Sequence, residues 1–215
     1  MVTTKPIWEK VYADSASSMQ VLYHDRIVPF NTLARDFTLK LYGKPSYKGL
    51  TAEQVVGSWL LFPDTWKNEP MILVKSEELQ SLLGIQGKYA KYTDFFDEHN
   101  QYKLRELWQS VQTDSRSPLR KAVVEADEKI ALITMLQQGS LIRQLPDDDS
   151  VKPLSNTKIQ AELFYNKVPF CKILFMINLT IGFLSLFWLL TQIVRNIPIR
   201  KSHIELLLKI LILCA

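Results

Sequence analysis

Residues 173–194 read ILFMINLTIGFLSLFWLLTQIV, a run with no Lys, Arg, Asp or Glu that lies between Lys172 and Arg195. A helix of that length reaches about 33 Å at 1.5 Å per residue, enough for a hydrocarbon core of about 30 Å. A buried helix of a soluble core would need protein on every side of a segment that is apolar all round, and a chain of 215 residues has little to spare for that. The stretch therefore reads as a transmembrane helix. Everything before it is then one membrane-attached domain, and everything after it a short loop and the start of something else.

The net charge of +4 favours nucleic acid as a partner only if the cations lie on the soluble part. They do not: residues 1–166 carry 20 Lys and Arg against 21 Asp and Glu, whereas 167–215 carry 6 against 1. Nucleic acid is excluded as an expected partner. Lys and Arg near a span mark its cytoplasmic side. Arg195, Arg200 and Lys201, with His203, follow the span, and Lys167 and Lys172 precede it. The bias places the N-terminal domain outside the cytoplasm and the 195–203 loop inside. Cys171 and Cys214 both fall in the membrane part, so the soluble domain holds no disulfide. The first twenty residues lack the apolar core of a signal peptide, and an exported domain would then need an upstream segment to carry it across.

Along the chain, residues 1–18 read as a polar lead-in. Gln20–Tyr23 and Arg26–Pro29 are β-prone runs around His24-Asp25, a candidate hairpin. Asn31 is placed to cap a helix in which Leu33, Phe37 and Leu41 recur and Gly43 ends the run. Thr51 and Gln54 have capping-box spacing, with Leu50 and Val55 placed for a staple, and Pro63 is expected to stop that helix. Residues 71–74 read as a strand, Ser76 as the cap of a short helix closed by Gly84, and 101–111 as a further helix. Ser117-Pro118 opens the longest soluble helix, whose apolar set Leu119, Val123, Ala126, Ile130, Ile133 and Leu141 runs to about Gln144. The domain is thus expected to span 19–145, with a Pro- and Asp-rich linker at 146–156. Residues 157–172, with Ile159, Leu163 and Phe164 on one side, read as a juxtamembrane amphipathic helix feeding the span at 173–194. Residues 204–215, beyond the loop at 195–203, read as a truncated second transmembrane helix or an interfacial helix. The fold class is α+β, mostly helical, followed by one transmembrane helix and the start of a second.

Chemistry is sparse in this pattern. Of three histidines, His24 falls in a turn, His99 in the acidic run FFDEHN, and His203 beside Arg200 and Lys201, where it marks topology or meets a lipid phosphate or haem propionate. None has a second ligand at metal-binding spacing, so no metal-ligating and no catalytic residue is assigned. Trp8, Trp59, Trp66 and Trp108 either line a cofactor groove or fill a core, and helical spacing favours the core. Asn178 either bonds a neighbouring helix or sits near the outer third of the span.

The run VLYHDRIVPFNTLARDFTLKLYGKPSYKGLTAEQVVGSWL, followed by EPMILVKSEELQSLLGI and GKYAKYTDFF, resembles the extracytoplasmic segment of the large fused cytochrome c synthetase of the bacterial system II pathway. AELFYNK, just before the span, is similar to that family's approach to its next membrane helix. The resemblance covers about residues 17–215, with a family-like core at Arg26, Pro29, Thr32, Leu33, Ala34 and Arg35. It implies a multi-span protein of the cytoplasmic membrane that carries haem to an external site and presents it to the C-x-x-C-H thiols of apocytochrome c. The family's haem-ligating histidines lie in segments outside these 215 residues, as does its tryptophan-rich segment, so no ligand carries over to His24, His99 or His203.

The expected function is therefore part of a c-type cytochrome maturation protein, with its soluble domain facing the periplasm of a bacterium. This segment would scaffold the synthetase or dock apocytochrome c rather than ligate haem. The partners implied are the membrane, the rest of the synthetase and apocytochrome c. The competing reading is an independent single-span sensor or protein-interaction domain, and an enzyme acting alone has no local constellation behind it.

Overall fold

The computed structural model describes residues 5–111, 117–145, 152–168 and 170–196. Expectations for the acidic part of the linker at 147–149, the loop beyond Asn196, residues 204–215, His203 and Cys214 fall outside the described residues. The chain forms two compact units, Met1–Asn166 and Lys167–Ala215.

The first unit opens with helix α1 (Lys10–Ala16) and then a hairpin, β1 (Gln20–Tyr23) and β2 (Arg26–Pro29). Val21 faces Val28 and Tyr23 faces Arg26 across it. His24 and Asp25 both take positive φ, 50° and 57°, as a two-residue turn that matches the right-handed strand twist requires. Helix α2 (Phe30–Tyr42) follows without a break. Its N-terminus differs from the sequence expectation: Pro29, not Asn31, holds the capping position, and no side chain caps it. Asn31 lies inside the first turn and bonds Glu53 and Asn166 instead. Gly43 ends the helix at φ 80°, its N–H bonded to the Leu39 carbonyl at 2.8 Å.

Helix α3 (Ala52–Leu61) begins with the capping box expected from Thr51 and Gln54. Every residue from Ala52 to Trp59 is buried, so the helix runs through the core. It packs on α2, on α1 and on the later long helix. Pro63 acts as a first-turn residue of the short helix α4 (Pro63–Trp66), where its missing N–H costs nothing. Then come β3 (Ile72–Leu73), helix α5 (Glu77–Leu83) and β4 (Tyr89–Ala90), with β3 and β4 paired antiparallel. Ser76 Oγ accepts from the Leu79 N–H and Gly84 closes α5 at φ 71°. A 3-10 turn (Tyr92–Phe95) leads to α6 (Leu104–Val111).

Helix α7 (Pro118–Gln137) is shorter than its pattern suggests. Gly139, at φ 73°, ends it, and Leu141 reaches the core from the chain beyond while its N–H bonds the Met135 carbonyl at 3.1 Å. An apolar residue at helical spacing was thus a core residue but not a helical one.

Helix α8 (Asn156–Lys167) packs on the same unit over nearly all its length: Ile159 is buried, and Gln20 clasps the Leu154 backbone just before it, accepting from the N–H at 2.6 Å. Residues 5–18, read above as a lead-in, are likewise part of the packing. Trp8 lies on Gly57 and edge-on to Phe30, and Ala13 is fully buried. Polar composition hid this because the segment is held largely by backbone hydrogen bonds. The Trp8 N–H bonds Ser58 Oγ, and the Pro6 carbonyl accepts from Trp66 Nε1.

The second unit contains α9 (Phe170–Asn196). Its Ile173–Gln192 stretch has mean hydropathy 2.2 with none of it buried, and among the described residues it is the one helix long and apolar enough to cross a membrane. Four polar side chains in it bond their own helix. Asn178 donates to the Leu174 carbonyl at 2.9 Å, and Thr180, Ser185 and Thr191 donate to carbonyls three residues back. That satisfies them without a neighbour, as a hydrocarbon surrounding demands.

Candidate functional site

Helices α2 and α7, strand β3 and the hairpin turn enclose a groove of about 840 Å³. Its floor is apolar: Leu22, Leu39, Leu73, Leu132, Met135 and Leu141 line it. Leu39 and Met135 are 48% and 40% exposed, the signature of a wall with room for an occupant rather than of a closed core. Two features of the fold hold the groove open. The Leu22 N–H bonds the Arg143 carbonyl at 2.9 Å, tying the hairpin to the chain after α7. The tight contact of Gly43 with Leu73, whose Cδ2 would lie 2.9 Å from any added Cβ, lets α2 end close against β3.

Charges ring that floor, most of them in pairs, with Glu128 outside any ion pair among the described residues. Arg143 Nη2 lies 3.1 Å from Asp25 Oδ1, and Lys75 lies 3.6 Å from Glu125 Oε1. Lys129 is buried, donating to the Leu73 carbonyl at 2.5 Å and to Glu125 Oε1 at 2.7 Å. The hydrogen bond from Lys129 holds the Glu125 carboxyl below the usual carboxylate range, against a smaller upward push from burial. The hydroxyls at the groove are engaged as well: Tyr23 donates to Asp36, and Ser140 to the Met135 carbonyl. Burial first, and then the Asp36 carboxylate, push the Tyr23 phenol far above its ordinary value, so it stays protonated. Apolar side chains can seat on the floor of such a groove while polar groups meet the charged rim.

His24 stands at the groove mouth with its ring against Tyr23, centroids 4.1 Å apart. His99 is exposed and its N–H bonds the Asp97 carboxylate. The described residues contain no group of three His, Cys, Asp or Glu side chains placed to hold a metal. Trp59 and Trp66 are fully buried core residues, Trp8 is packed on α3, and Trp108 is partly exposed beneath Arg120. The four tryptophans therefore do not form one groove. The groove residues went unread in the sequence because they come from five separated segments. One signal was available: Lys129 interrupts the apolar stripe of α7 between Ala126 and Ile130, where a lone cation has to find a buried partner.

A second polar cluster lies where α8 meets the start of α2. Thr32 Oγ1 donates to Glu162 Oε1 at 2.7 Å, and Asn166 Nδ2 reaches Asn31 Oδ1 at 2.9 Å and Thr32 Oγ1 at 3.0 Å. Arg26 stands 3.8 Å from Glu162. Arg26 and Thr32 belong to the family-like core noted in the sequence, so part of that core serves this seam.

The chain is thus a mostly helical unit with a pre-formed groove, followed in sequence by an apolar helix long enough to cross a membrane. No family model matches the chain. Over 125 residues, 56% of its length, the chain is 38% identical to Protein NrfI of Wolinella succinogenes, and the match covers 14% of that protein. The likeness supports the general family of cytochrome c biogenesis proteins that the sequence resembles.

Proposed function

We propose that this chain is the extracytoplasmic segment and following membrane helix of a c-type cytochrome maturation protein of the bacterial cytoplasmic membrane. The observation that carries the reading is the 38% identity to Protein NrfI, which agrees with the resemblance to system II synthetases drawn from 21–96 and 161–167. On this reading the first unit scaffolds the synthetase and docks apocytochrome c, and haem is handled by parts of the larger protein that carry its ligands. The excess of cations after the apolar stretch, beginning at Arg195 in the last turn of α9, supports a periplasmic first unit. The groove between α2 and α7 is the docking surface: its apolar floor and paired charges suit an extended polypeptide, whose side chains alternate between floor and rim.

The test is photo-crosslinking. A benzophenone amino acid replaces Leu39, Met135 or Leu82 in the 215-residue chain held in nanodiscs, and the probe is a synthetic apocytochrome peptide containing Cys-X-X-Cys-His. Crosslinks from 39 and 135, but not from 82 on α5, are expected. Equal yields at all three positions, or none at any, overturn groove docking.

A further inference from the structure

Helix α8 exposes two large aromatic side chains on its outward side. The face set by Ile159, Glu162, Leu163 and Asn166, spaced three and four apart, is turned to the first unit, and its polar members are the ones that bond there. Phe164 and Tyr165 point outward, 64% and 65% exposed. The outward side also carries Lys158 and Lys167, while the helix's one carboxylate, Glu162, is drawn inward by Thr32 and Arg26. Exposed aromatics beside cations, with the acid removed, complement an anionic phospholipid surface: rings settle at headgroup depth and ammonium groups meet phosphates. Chain connectivity supplies the proximity. Six residues separate Asn166 from Ile173, where the apolar stretch begins, so α8 ends within about 20 Å of the hydrocarbon.

We propose that the outward face of α8 is an interfacial anchor, with Phe164 and Tyr165 embedded in the headgroup layer of an anionic bilayer and Lys158 and Lys167 on lipid phosphates. The anchor goes beyond the maturation reading and does not depend on it. A helix fixed on one side to the first unit and on the other to lipid sets the height of that unit above the membrane.

The experiment places a nitroxide at Phe164→Cys or Tyr165→Cys in the full chain, with Cys171 and Cys214 changed to Ser, in nanodiscs containing phosphatidylglycerol. Leu82→Cys serves as the aqueous reference and Leu184→Cys as the lipid reference. Because 164 and 165 are exposed, labelling leaves the fold in place, which near-ultraviolet dichroism verifies. The expected ratio of oxygen to nickel-chelate accessibility at both sites lies between the two references. It moves toward the Leu82 value in zwitterionic lipid when Lys158→Ser and Lys167→Ser are added. A ratio equal to that at Leu82 in anionic nanodiscs overturns the proposal. So does an immobilised label that neither reagent reaches, which means that protein covers this face.

Discussion

Gly57→Ala is the sharpest probe of whether the first residues of the chain belong to the fold. A Cβ at this position would lie 1.9, 2.4 and 2.7 Å from ring carbons of Trp8, and these are atoms in the body of the indole, not its flexible end. Trp8 has to move, and with it two hydrogen bonds: its N–H to Ser58 Oγ at 2.9 Å and Gln54 Nε2 to its carbonyl at 3.1 Å. Overpacking of this kind costs about 1–3 kcal/mol, while exchanging Gly for Ala inside a helix returns about 0.8–1 kcal/mol. The net expectation is destabilisation of up to about 2 kcal/mol.

The sign should invert when the obstacle is removed. In a Trp8→Ala background only the helix-propensity gain remains, so adding Gly57→Ala stabilises by about 1 kcal/mol, and the coupling between the two sites equals the overpacking cost of about 1–3 kcal/mol. Urea unfolding of the chain in detergent, with Trp188 of α9 changed to Phe, is followed by tryptophan fluorescence, to which the buried Trp59 and Trp66 of the first unit contribute. Gly57→Ala having the same sign in both backgrounds would falsify the packing of Trp8 on α3.

Glu69 accepts from Tyr47, from Lys48 at 3.0 Å, and pairs with Lys5 at 3.2 Å; burial pushes its carboxyl up, and the three donors together outweigh that and bring it below 4.5. Its contribution to stability is present above the unfolded value and is lost as pH falls through the lower folded one, so Glu69→Gln should melt with a smaller loss between pH 6 and 3 than the unaltered chain. Burial, then bonds to Asp36, Glu69 and Asp127, raises the phenols of Tyr23, Tyr47 and Tyr102 above 10.0, so their contribution is complete below that value and is lost as pH rises beyond it. Tyrosinate absorbance at 295 nm should therefore grow together with unfolding above pH 10, and ionisation of all tyrosines in a still folded unit would contradict the burial. For topology, a cysteine at Ser150 should be labelled from outside the membrane and one at Ser202 should not; the opposite pattern would reverse the orientation. Haem added to the purified chain should give a broad reduced spectrum unchanged by His24→Ala, His99→Ala or His203→Ala, and a sharp bis-ligated spectrum abolished by one of them would make that residue a ligand.

Local signals in the sequence translated well where the structure is itself local. The hairpin turn at His24-Asp25, the box at Thr51 and Gln54, the Ser76 cap and the αL glycines at 43 and 84 are each decided within four or five residues, and each is in place. The apolar span is of the same kind. What the sequence concealed depends on distant partners. Residues 5–18 look like a polar leader because Lys5 is held by Trp66, with its ammonium 3.3 Å from the ring centroid, and by Glu69. Burial takes that lysine below its ordinary range even though Glu69 opposes the shift. The amphipathicity of α8 misleads for the reverse reason. Ile159 and Leu163 share one side of the helix, but Phe164 lies about 140° around it from Ile159, so with Ile159 buried and Asn166 and Glu162 bonded to α2 it faces outward.

The groove and the α8 seam are joined by one element. The first turn of α2 carries Asn31 and Thr32, which hold Asn166 and Glu162, and its last turns carry Leu39 and Lys40, which line the groove. Thirteen residues make this a rod of about 20 Å. Midway, Asp36 accepts from Tyr23 of the hairpin and pairs with Lys40 at 3.1 Å, so the hairpin turn at the groove mouth is fixed to the same rod. Leu33, Ala34, Phe37 and Leu41 bury its other side, and the helix packs against α3 along the way. A polypeptide bound in the groove is therefore positioned by the same helix that receives α8. On the proposed anchoring of α8, its depth in the headgroup layer would then set how far a segment docked in the groove stands from the bilayer.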